Sequence, residues 1–326
     1  LGPLFTAADL PYTTLGPQAT WFVTSVPIVG GVALLYAVIL ALRPAVARVR
    51  QWDERARAAR LLTSYGRGAL SPFVLSDDKA YCWSPTGDGV IAYAGAGGVA
   101  VACGEPVCAP SDRAAVLRHF RAVCRRRGLI PALYQAGTDL LPAARALGFS
   151  AIKIGEEAVL DLADFSVQGK QRANIRHSVT RAERDGLTVR FFDAGVDDRA
   201  IMGQLVTISS AWLHGRRLKE LRFSMNGFSA QRVRTQRTVV GVDGAGRVHA
   251  FITLLPTYSD RGIALDLMRR APEATPGAME LVLVRGAAHL RAQGYTSFSL
   301  GLAPLAGVGG AEHGLVGKGL DYLFRN

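Results

Sequence analysis

An uncharged stretch near the start of the chain constrains its architecture more than any other feature. Residues 21–42 (WFVTSVPIVGGVALLYAVILAL) contain 22 positions without an acidic or basic side chain. As an α-helix this segment would be about 33 Å long, which is enough to cross the hydrocarbon core of a bilayer. The residues before it include Asp9 and lack the basic region of a cleaved secretory signal. The sequence therefore predicts a transmembrane helix at about 21–42 within a membrane segment at 1–42, with a buried core helix as the alternative.

A basic juxtamembrane linker is predicted directly after this span, at 43–60. It contains six arginines and only two acidic residues. Because positive residues favour the cytoplasmic side of a membrane, we expect the rest of the chain in the cytoplasm and the arginines near anionic lipid headgroups. The chain begins with Leu1 rather than Met. We therefore expect the span to be the last of several in a longer protein.

The charge balance indicates an anionic partner. The chain has 38 Lys and Arg residues against 26 Asp and Glu residues, a formal net charge of +12. Such an excess is typical of proteins that bind nucleic acid, phosphate ligands or anionic membranes. The four cysteines, Cys82, Cys103, Cys108 and Cys124, have no CxxC spacing, and no histidine is paired with them at ligand spacing. We predict reduced core thiols and neither a disulfide framework nor a zinc site.

Beyond the linker, short apolar runs and amphipathic helices follow a plan that occurs twice. In each half a meander of strands is followed by a helix and a further strand. This plan predicts a mixed α/β (α+β) fold with two acyltransferase-like units, at 61–162 and 163–326. Its elements include a strand at 73–76, a helix capped by Ser111 and a long strand at 150–162. The glycine-rich loop that holds acetyl-coenzyme A in acyltransferases is missing, so we expect a different acyl donor.

A basic helix is the first candidate for binding. The pattern places it at 168–185, ends it at Gly186 and puts Lys170, Arg172 and Arg176 on its first turns. Such a helix can follow a row of phosphates, because Lys and Arg release condensed counterions when they bind nucleic acid. An ordinary solvated surface helix is the alternative.

The loop at 214–229 is the second candidate. Its cations are Arg216, Arg217, Lys219 and Arg222, and its rings are Phe223 and Phe228. Basic and aromatic side chains together are suited to stacking on a nucleotide and holding its phosphate. Glu220 is the single carboxylate of this loop, and an ion pair with a neighbouring arginine is the plain explanation for it.

The segment LDLMRR at 265–270 is the third candidate, at the end of a strand predicted at 261–268. On a strand, Asp266 and Met268 would share one face and Arg269 would lie on the other. Asp266 and Arg269 would therefore meet only if Arg269 lies in the following turn. A carboxylate beside a guanidinium can hold an ammonium group or take a proton, while the guanidinium stabilises an oxyanion or a phosphate. A structural ion pair is the alternative.

Several segments together resemble one known family. Residues 148–186, the loop at 219–229, the DLMRR–PGAMELVLV block at 266–284 and FSLGLAPL at 298–305 occur in the order typical of bacterial aminoacyl-phosphatidylglycerol synthases, the multiple peptide resistance factor family. The resemblance covers the chain from residue 61 onward and includes the membrane span. These motifs are specific as a set, whereas each alone would not be.

The resemblance implies tandem acetyltransferase-like (GNAT) units in the cytoplasm, attached to a multi-span region of the cell membrane. Such enzymes pass an amino acid, commonly lysine or alanine, from aminoacyl-tRNA to a glycerol hydroxyl of phosphatidylglycerol. The product makes an anionic membrane less attractive to cationic antimicrobial peptides. The aminoacyl ester is already activated, so we expect no cofactor. We favour lysine as the amino acid, because Glu273 and Glu280 could accept its side chain.

The family's functional positions carry over as Lys170, Glu220, Asp266 and Arg269. We expect Asp266 to hold the substrate's α-ammonium or to assist proton transfer, and Glu220 to orient the aminoacyl group. Arg269 and Lys170 would bind the lipid phosphate or the tRNA end. The residues expected to bind substrate are Arg172, Arg176, Arg216, Arg217, Lys219, Glu273 and Glu280. The family continues into a basic C-terminal helix where this chain ends at Asn326, so a truncated end is expected.

Two other functions stay open from the sequence. One is a peptidyl-type transferase with the same donor and fold that modifies an amine of a cell-wall precursor. The other is a non-catalytic, membrane-tethered module that binds RNA. Product formation would distinguish a transferase from a binding module, whereas sensitivity of RNA binding to salt is expected of both.

Overall fold

The computed structural model describes residues 53–216, 223–258 and 261–307. The predicted membrane segment and the end of the chain beyond residue 307 lie outside the described residues. The chain divides into a short unit, Leu1–Arg57, and a large unit, Ala58–Asn326, and the fold given below is that of the large unit. None of the described helices combines the length and the apolar character needed to cross a bilayer.

A four-stranded sheet forms the first half of the large unit. Its strands are β1 (Ala80–Trp83), β2 (Val90–Ala96), β3 (Val99–Cys103) and β4 (Ile130–Tyr134), in the spatial order β1-β2-β3-β4. The first three form an antiparallel meander, and β4 runs parallel to β3. Helix α2 (Arg113–Arg126) makes the crossover between them and buries Leu117 and Phe120 against the sheet.

Shorter helices complete this half, and two of its predicted local features differ from the structure. Helix α1 covers 53–65, of which 58–65 belong to the large unit, and α3 (Leu141–Ala146) follows a short 3-10 turn. The strand predicted at 73–76 is wrong, because Ser71–Leu75 forms a 3-10 helix with Pro72 in its first turn. Ser111 does not cap α2. It lies in a separate 3-10 turn, Pro110–Asp112, and its hydroxyl donates to the Asp112 carboxylate.

A six-stranded sheet forms the second half. Its strands are β5 (Gly155–Asp161), β6 (Thr188–Phe192), β7 (Thr238–Val242), β8 (Val248–Pro256), β9 (Gly262–Arg270) and β10 (Ser297–Pro304), in the order β5-β10-β9-β8-β7-β6. Strand β10 runs parallel to β9, and all other pairs are antiparallel. The long strand predicted at 150–162 shortens to β5. This strand pairs with β10, so it extends the second sheet although the predicted boundary assigned it to the first unit.

Helices cover both faces of the second sheet. Helices α4 (Ala173–Arg184) and α7 (Ala278–Ala292) pack on one face, and α5 (Arg199–Arg216) and α6 (Ala230–Val233) on the other. Neighbouring residues of β8 show the arrangement directly, since Ile252 belongs to the α7-side core and Phe251 to the α5-side core. Both side chains are completely buried. Strand β8 is therefore buried over seven consecutive residues, 248–254, rather than alternating between buried and exposed, as expected for a strand between two helical layers.

The repeated plan predicted from the sequence is present in both sheets. Each contains an antiparallel meander followed by a crossover helix and a parallel strand, which are α2 and β4 in the first half and α7 and β10 in the second. The prediction of a mixed α/β fold is confirmed. All four cysteines are buried and free, as predicted for core thiols.

Candidate functional site

The predicted Asp266 and Arg269 lie on β9, beyond the point where its pairing with β10 ends. Parallel pairing joins only 262–264 of β9 to 297–299 of β10. On its other side β9 contains a bulge, because Thr253 pairs with Leu267 and Leu254 pairs with Leu265. Asp266 is the extra residue between them. Bulges often redirect a side chain next to a functional site, and this one does so where the two parallel strands separate.

The bulge changes the faces that a regular strand would give these residues. Asp266 and Met268 were predicted to share a face, but Asp266 is only 6% exposed whereas Met268 is 46% exposed. Arg269 is 3% exposed and lies within the strand rather than in a following turn. Asp266 instead contacts Thr253, on the side of the sheet that Arg269 also faces. The predicted alternation is therefore wrong at Asp266, whereas Met268 and Arg269 lie on opposite faces of the sheet as predicted.

Four donors surround the Asp266 carboxylate. The main-chain N–H of Asn226 donates to Oδ1 at 2.9 Å, and the side-chain amide of Gln236 donates to Oδ2 at 2.7 Å. The side-chain amide of Asn226 and the hydroxyl of Thr253 lie 3.4 Å from Oδ2. Burial raises the pKa of Asp266 above its usual value, and the Gln236 and Asn226 hydrogen bonds oppose that rise. A carboxyl group with a raised pKa is better matched to proton transfer near neutral pH than an ordinary aspartate.

Helix α5 holds the Arg269 guanidinium. Its Nη1 donates to the main-chain oxygen of Ser209 at 3.1 Å, and its central carbon lies 4.5 Å from the centroid of a Trp212 ring. A guanidinium over an indole face is stabilised by the ring quadrupole, more strongly when water is excluded. Arg269 is thus a permanent positive charge in a buried, fixed position, which suits it to binding an anionic group of a substrate.

The basic helix predicted at 168–185 is present, with an additional 3-10 turn at its start. Lys170 and Arg172 lie exposed in this turn, and the helix ends before Gly186. Arg176 has a structural role, since it donates to the main-chain oxygens of Val167 and Gly169 at 2.8 and 2.6 Å. Its guanidinium therefore holds the turn on which Lys170 lies.

The remaining predicted residues have separate locations. Glu273 is exposed in the turn after β9, and Glu280 is half-buried in the first turn of α7, where a carboxylate stabilises the helix N-terminus. Arg216 ends α5. Arg217, Lys219 and Glu220 lie outside the described residues, so the location predicted for Glu220 stays a prediction. Within the described part of the chain, no hydrogen bond joins Asp266 to Lys170, Glu273 or Glu280.

The two phenylalanines proposed for base stacking pack within the protein. Phe223 lies edge-on to Tyr134, with ring centroids 5.6 Å apart, and Phe228 packs edge-on against Phe251 at 6.1 Å. The residues that hold Asp266 and Arg269 in their place, Asn226, Gln236, Thr253, Ser209 and Trp212, were not among the predicted site residues. Only Asn226 lay within a candidate segment, the loop at 214–229. The contacts of the other four residues depend on the tertiary fold.

A cavity of about 1130 Å³ lies apart from Asp266 and Arg269, lined by residues of β4, α3 and β5. Arg113 forms part of its wall and pairs with Glu105 at 3.4 Å and with Asp139 at 2.6 Å. Burial raises the pKa of Glu105, whereas the hydrogen bond from Arg113 lowers the pKa of Asp139. The two carboxylates therefore differ in proton affinity although they share one guanidinium.

Sequence comparison identifies one family over most of the chain. The profile of the family described as "Phosphatidylglycerol lysyltransferase, C-terminal" matches residues 59–326. The phosphatidylglycerol lysyltransferase of Bacillus subtilis is 29% identical over 255 residues, which are 78% of this chain and 29% of that protein. The lysylphosphatidylglycerol biosynthesis bifunctional protein LysX of Mycobacterium tuberculosis is 30% identical over 247 residues, 74% of this chain and 21% of that protein. This chain thus spans less than a third of these curated relatives.

Two solved structures are similar in fold and in sequence. One is the C-terminal domain of a putative lysylphosphatidylglycerol synthetase from Agrobacterium fabrum, with a TM-score of 0.71 and 31% identity over 78% of this chain and 79% of that chain. The other is L-PGS from Bacillus licheniformis, with a TM-score of 0.72 and 29% identity over 79% of this chain and 78% of that chain. The similarity therefore extends to both sheets.

Proposed function

This chain belongs to the phosphatidylglycerol lysyltransferase C-terminal family, and we propose from that premise that it transfers an aminoacyl group from aminoacyl-tRNA to a glycerol hydroxyl of phosphatidylglycerol. Lysine is the favoured amino acid, as in the names of the relatives. The reaction takes place at the cytoplasmic face of the cell membrane. The observation that carries the proposal is the buried pair of charged groups on β9, Asp266 in its amide surroundings and Arg269 on Trp212.

The chemistry exchanges one ester for another. The lipid hydroxyl oxygen forms a bond to the aminoacyl carbonyl carbon, and the bond from that carbon to the tRNA ribose oxygen breaks. The proton of the lipid hydroxyl ends on the ribose oxygen. Because the donor ester is already activated, the protein needs to orient the two substrates, move one proton and stabilise one tetrahedral oxyanion.

Asp266 and Arg269 have complementary tasks in this reaction. Asp266 takes the hydroxyl proton or holds the α-ammonium of the amino acid, and its raised pKa favours the first task. Arg269 binds the lipid phosphate or the developing oxyanion. Lys170 and Arg172 are exposed in the 3-10 turn that precedes α4 and contact the tRNA phosphates, together with the substrate-binding residues predicted at 216–219.

The negative charges of the proposed substrates complement the positive charge of the protein. Both tRNA and phosphatidylglycerol are anionic, and the chain carries a formal net charge of +12. Attachment of lysine replaces the net negative charge of the lipid with a net positive one. The modified membrane then attracts cationic antimicrobial peptides less strongly, because their binding depends on anionic lipids.

The test is the transfer of radiolabelled amino acid from charged tRNA into phosphatidylglycerol vesicles, with lysyl-tRNA and alanyl-tRNA in parallel. We expect label in the lipid extract, more from lysyl-tRNA, and its loss in an Asp266→Ala variant. Vesicles that carry an amine-bearing cell-wall precursor instead test the peptidyl-type alternative. If tRNA binds but neither acceptor becomes labelled, the transferase proposal fails and a binding module is the better description.

A further inference from the structure

We propose that the turn formed by residues 76–79 in the first half positions Asp266, because it holds the loop at 223–229 that binds this carboxylate. We call residues 76–79 (SDDK) the SDDK turn. The turn lies between the 3-10 helix Ser71–Leu75 and β1, far from β9 along the chain. The inference rests on the proposed function for the role of Asp266, whereas the contacts that carry it are independent of that role.

One chain of hydrogen bonds leads from the SDDK turn to the carboxylate. The hydroxyl of Ser76 donates to the side-chain oxygen of Asn226 at 3.1 Å. The main-chain N–H of Asn226 donates to Asp266 Oδ1 at 2.9 Å, and its side-chain amide lies 3.4 Å from Oδ2. Asn226 thus uses its oxygen for the first half and its nitrogens for Asp266, so its orientation depends on both.

The last residue of the turn places a buried cation against the same loop. The side chain of Lys79 is completely buried, and its Nζ pairs with the Asp78 carboxylate at 2.6 Å. The same Nζ lies 4.5 Å from the centroid of the Phe223 ring. Lysine is almost never fully buried without a partner, and an ammonium over an aromatic face is stabilised most where water is excluded.

Phe223 needs this support because its backbone is strained. Its φ of +124° lies in the region that side chains other than glycine rarely adopt. The Cys103 thiol donates to the main-chain oxygen of Phe223 at 3.5 Å, and burial raises the pKa of this thiol to about 12, so it keeps its proton. Residues of the first half therefore hold both the ring and the carbonyl of a residue three positions before Asn226.

A third contact joins the turn to helix α6, which follows the loop. Arg232 lies 3.9 Å from the Asp77 carboxylate and donates to the main-chain oxygen of Gly227. Burial raises the pKa of Asp266, and the positive charge of Arg232 is one of the effects that oppose this rise. Three of the four residues of the SDDK turn thus contact the segment at 223–232. The first half has a positioning role for the site on the second sheet.

The test compares Lys79→Met, Lys79→Arg and Ser76→Ala with the wild-type chain. Lys79→Met keeps the aliphatic length and removes the charge, Lys79→Arg keeps the charge, and Ser76→Ala removes one hydrogen bond with little risk to folding. Lys153→Met is the matched control, since Lys153 pairs with Glu156 on the surface. Two quantities are measured: hydrogen exchange of the Asn226 amide, and kcat and KM in the transfer assay.

We expect faster exchange at Asn226 in Lys79→Met and Ser76→Ala, and slow exchange in Lys79→Arg and Lys153→Met. We expect kcat to fall about tenfold or more in Lys79→Met at nearly unchanged KM, because a small displacement of a reacting group costs up to about a hundredfold. Lys79→Arg should retain most of the wild-type kcat. Unchanged exchange at Asn226 in both Lys79→Met and Ser76→Ala overturns the inference. Faster exchange in a chain without transferase activity supports the positioning contacts and rejects only the proposed function.

Discussion

The ionisation of Asp266 results from two opposing effects at a single residue. Removal from water disfavours the carboxylate, and the amides of Gln236 and Asn226 favour it. Burial is the larger effect, so the folded protein binds this proton more tightly than the unfolded chain does. The usual reason for burying a carboxyl group in this way is chemical, because an apolar residue of similar size would stabilise the fold more.

This balance predicts how Asp266 affects stability against pH. The pKa of Asp266 is higher in the folded state than in the unfolded state, where it is about 3.9. Stability due to this group is therefore present at pH values below about 4 and is lost as the pH rises through the folded-state pKa. We expect the free energy of unfolding of the wild type to fall, relative to Asp266→Asn, as the pH rises above about 4. Urea unfolding at a series of pH values measures this difference, and parallel curves would contradict it.

Gln236 should control the pH dependence of the reaction. Gln236→Met removes the 2.7 Å hydrogen bond to Asp266 with little change in volume. The pKa of Asp266 then rises further. In a plot of transfer rate against pH, the fall of the rate on the acidic side (the acidic limb) should therefore move to higher pH. We also expect a loss of about 1–3 kcal/mol in stability, as for other buried groups left without a partner.

Gln204→Met provides the control for this experiment. Gln204 is half-buried and hydrogen-bonds Gly246 and Val248 at the turn between β7 and β8, and within the described residues it has no hydrogen bond to Asp266. Its replacement should lower stability but leave the acidic limb in place. An equal shift of the limb in both variants would mean that Gln236 has no specific effect on Asp266.

At the scale of elements, regular strands and helices were predictable and irregularities were not. The meanders follow from short β-branched runs separated by glycine, and α7 follows from its apolar spacing between Gly277 and Gly294. The bulge at Asp266 has no such signature, since LDLMRR contains neither glycine nor proline to mark it. The pairing of β5 with β10 joins residues about 140 positions apart, so local pattern alone does not specify it.

The start of α7 gives an element-scale prediction. Gly277 has a φ of +85°, and a Cβ built on it would lie 2.2 Å from the main-chain oxygen of Ser178 in α4. Gly277→Ala should therefore lower stability by at least about 1–2 kcal/mol, because backbone strain adds to a clash that only movement of α4 can relieve. Thermal unfolding measures the loss.

Gly203→Ala is the matched control for Gly277→Ala. Gly203 lies within α5 and has no heavy atom within 4 Å of the position of an added Cβ. Alanine there should raise stability by about 0.5–1 kcal/mol, because glycine weakens a helix interior. Similar destabilisation by both substitutions would show that the packing of α4 on α7 has no special requirement for Gly277.

At the scale of the molecule, both halves of the large unit contribute residues to the candidate site. The charged groups Asp266 and Arg269 come from the second sheet, and the SDDK turn that holds the loop beside them comes from the first. The sequence indicated the charged residues through LDLMRR and its position at a strand end. The contacts of Ser76 and Lys79 with that loop depend on how two distant segments pack, which no local pattern in the chain records.

The proposed binding of tRNA gives a prediction from the distribution of positive charge over the molecule. Lys170→Glu/Arg172→Glu reverses two exposed charges at the start of α4, and Arg125→Glu/Arg126→Glu makes the same change at the exposed end of α2. If α4 binds the phosphates, the first variant should bind tRNA more weakly, and the slope of log K against log salt should decrease by about 0.7–0.9 for each phosphate that is no longer neutralised. The second variant should retain nearly all of the wild-type slope. Fluorescence titration of tRNA at several salt concentrations measures both. Equal weakening in the two variants would mean that net charge, rather than α4, determines binding.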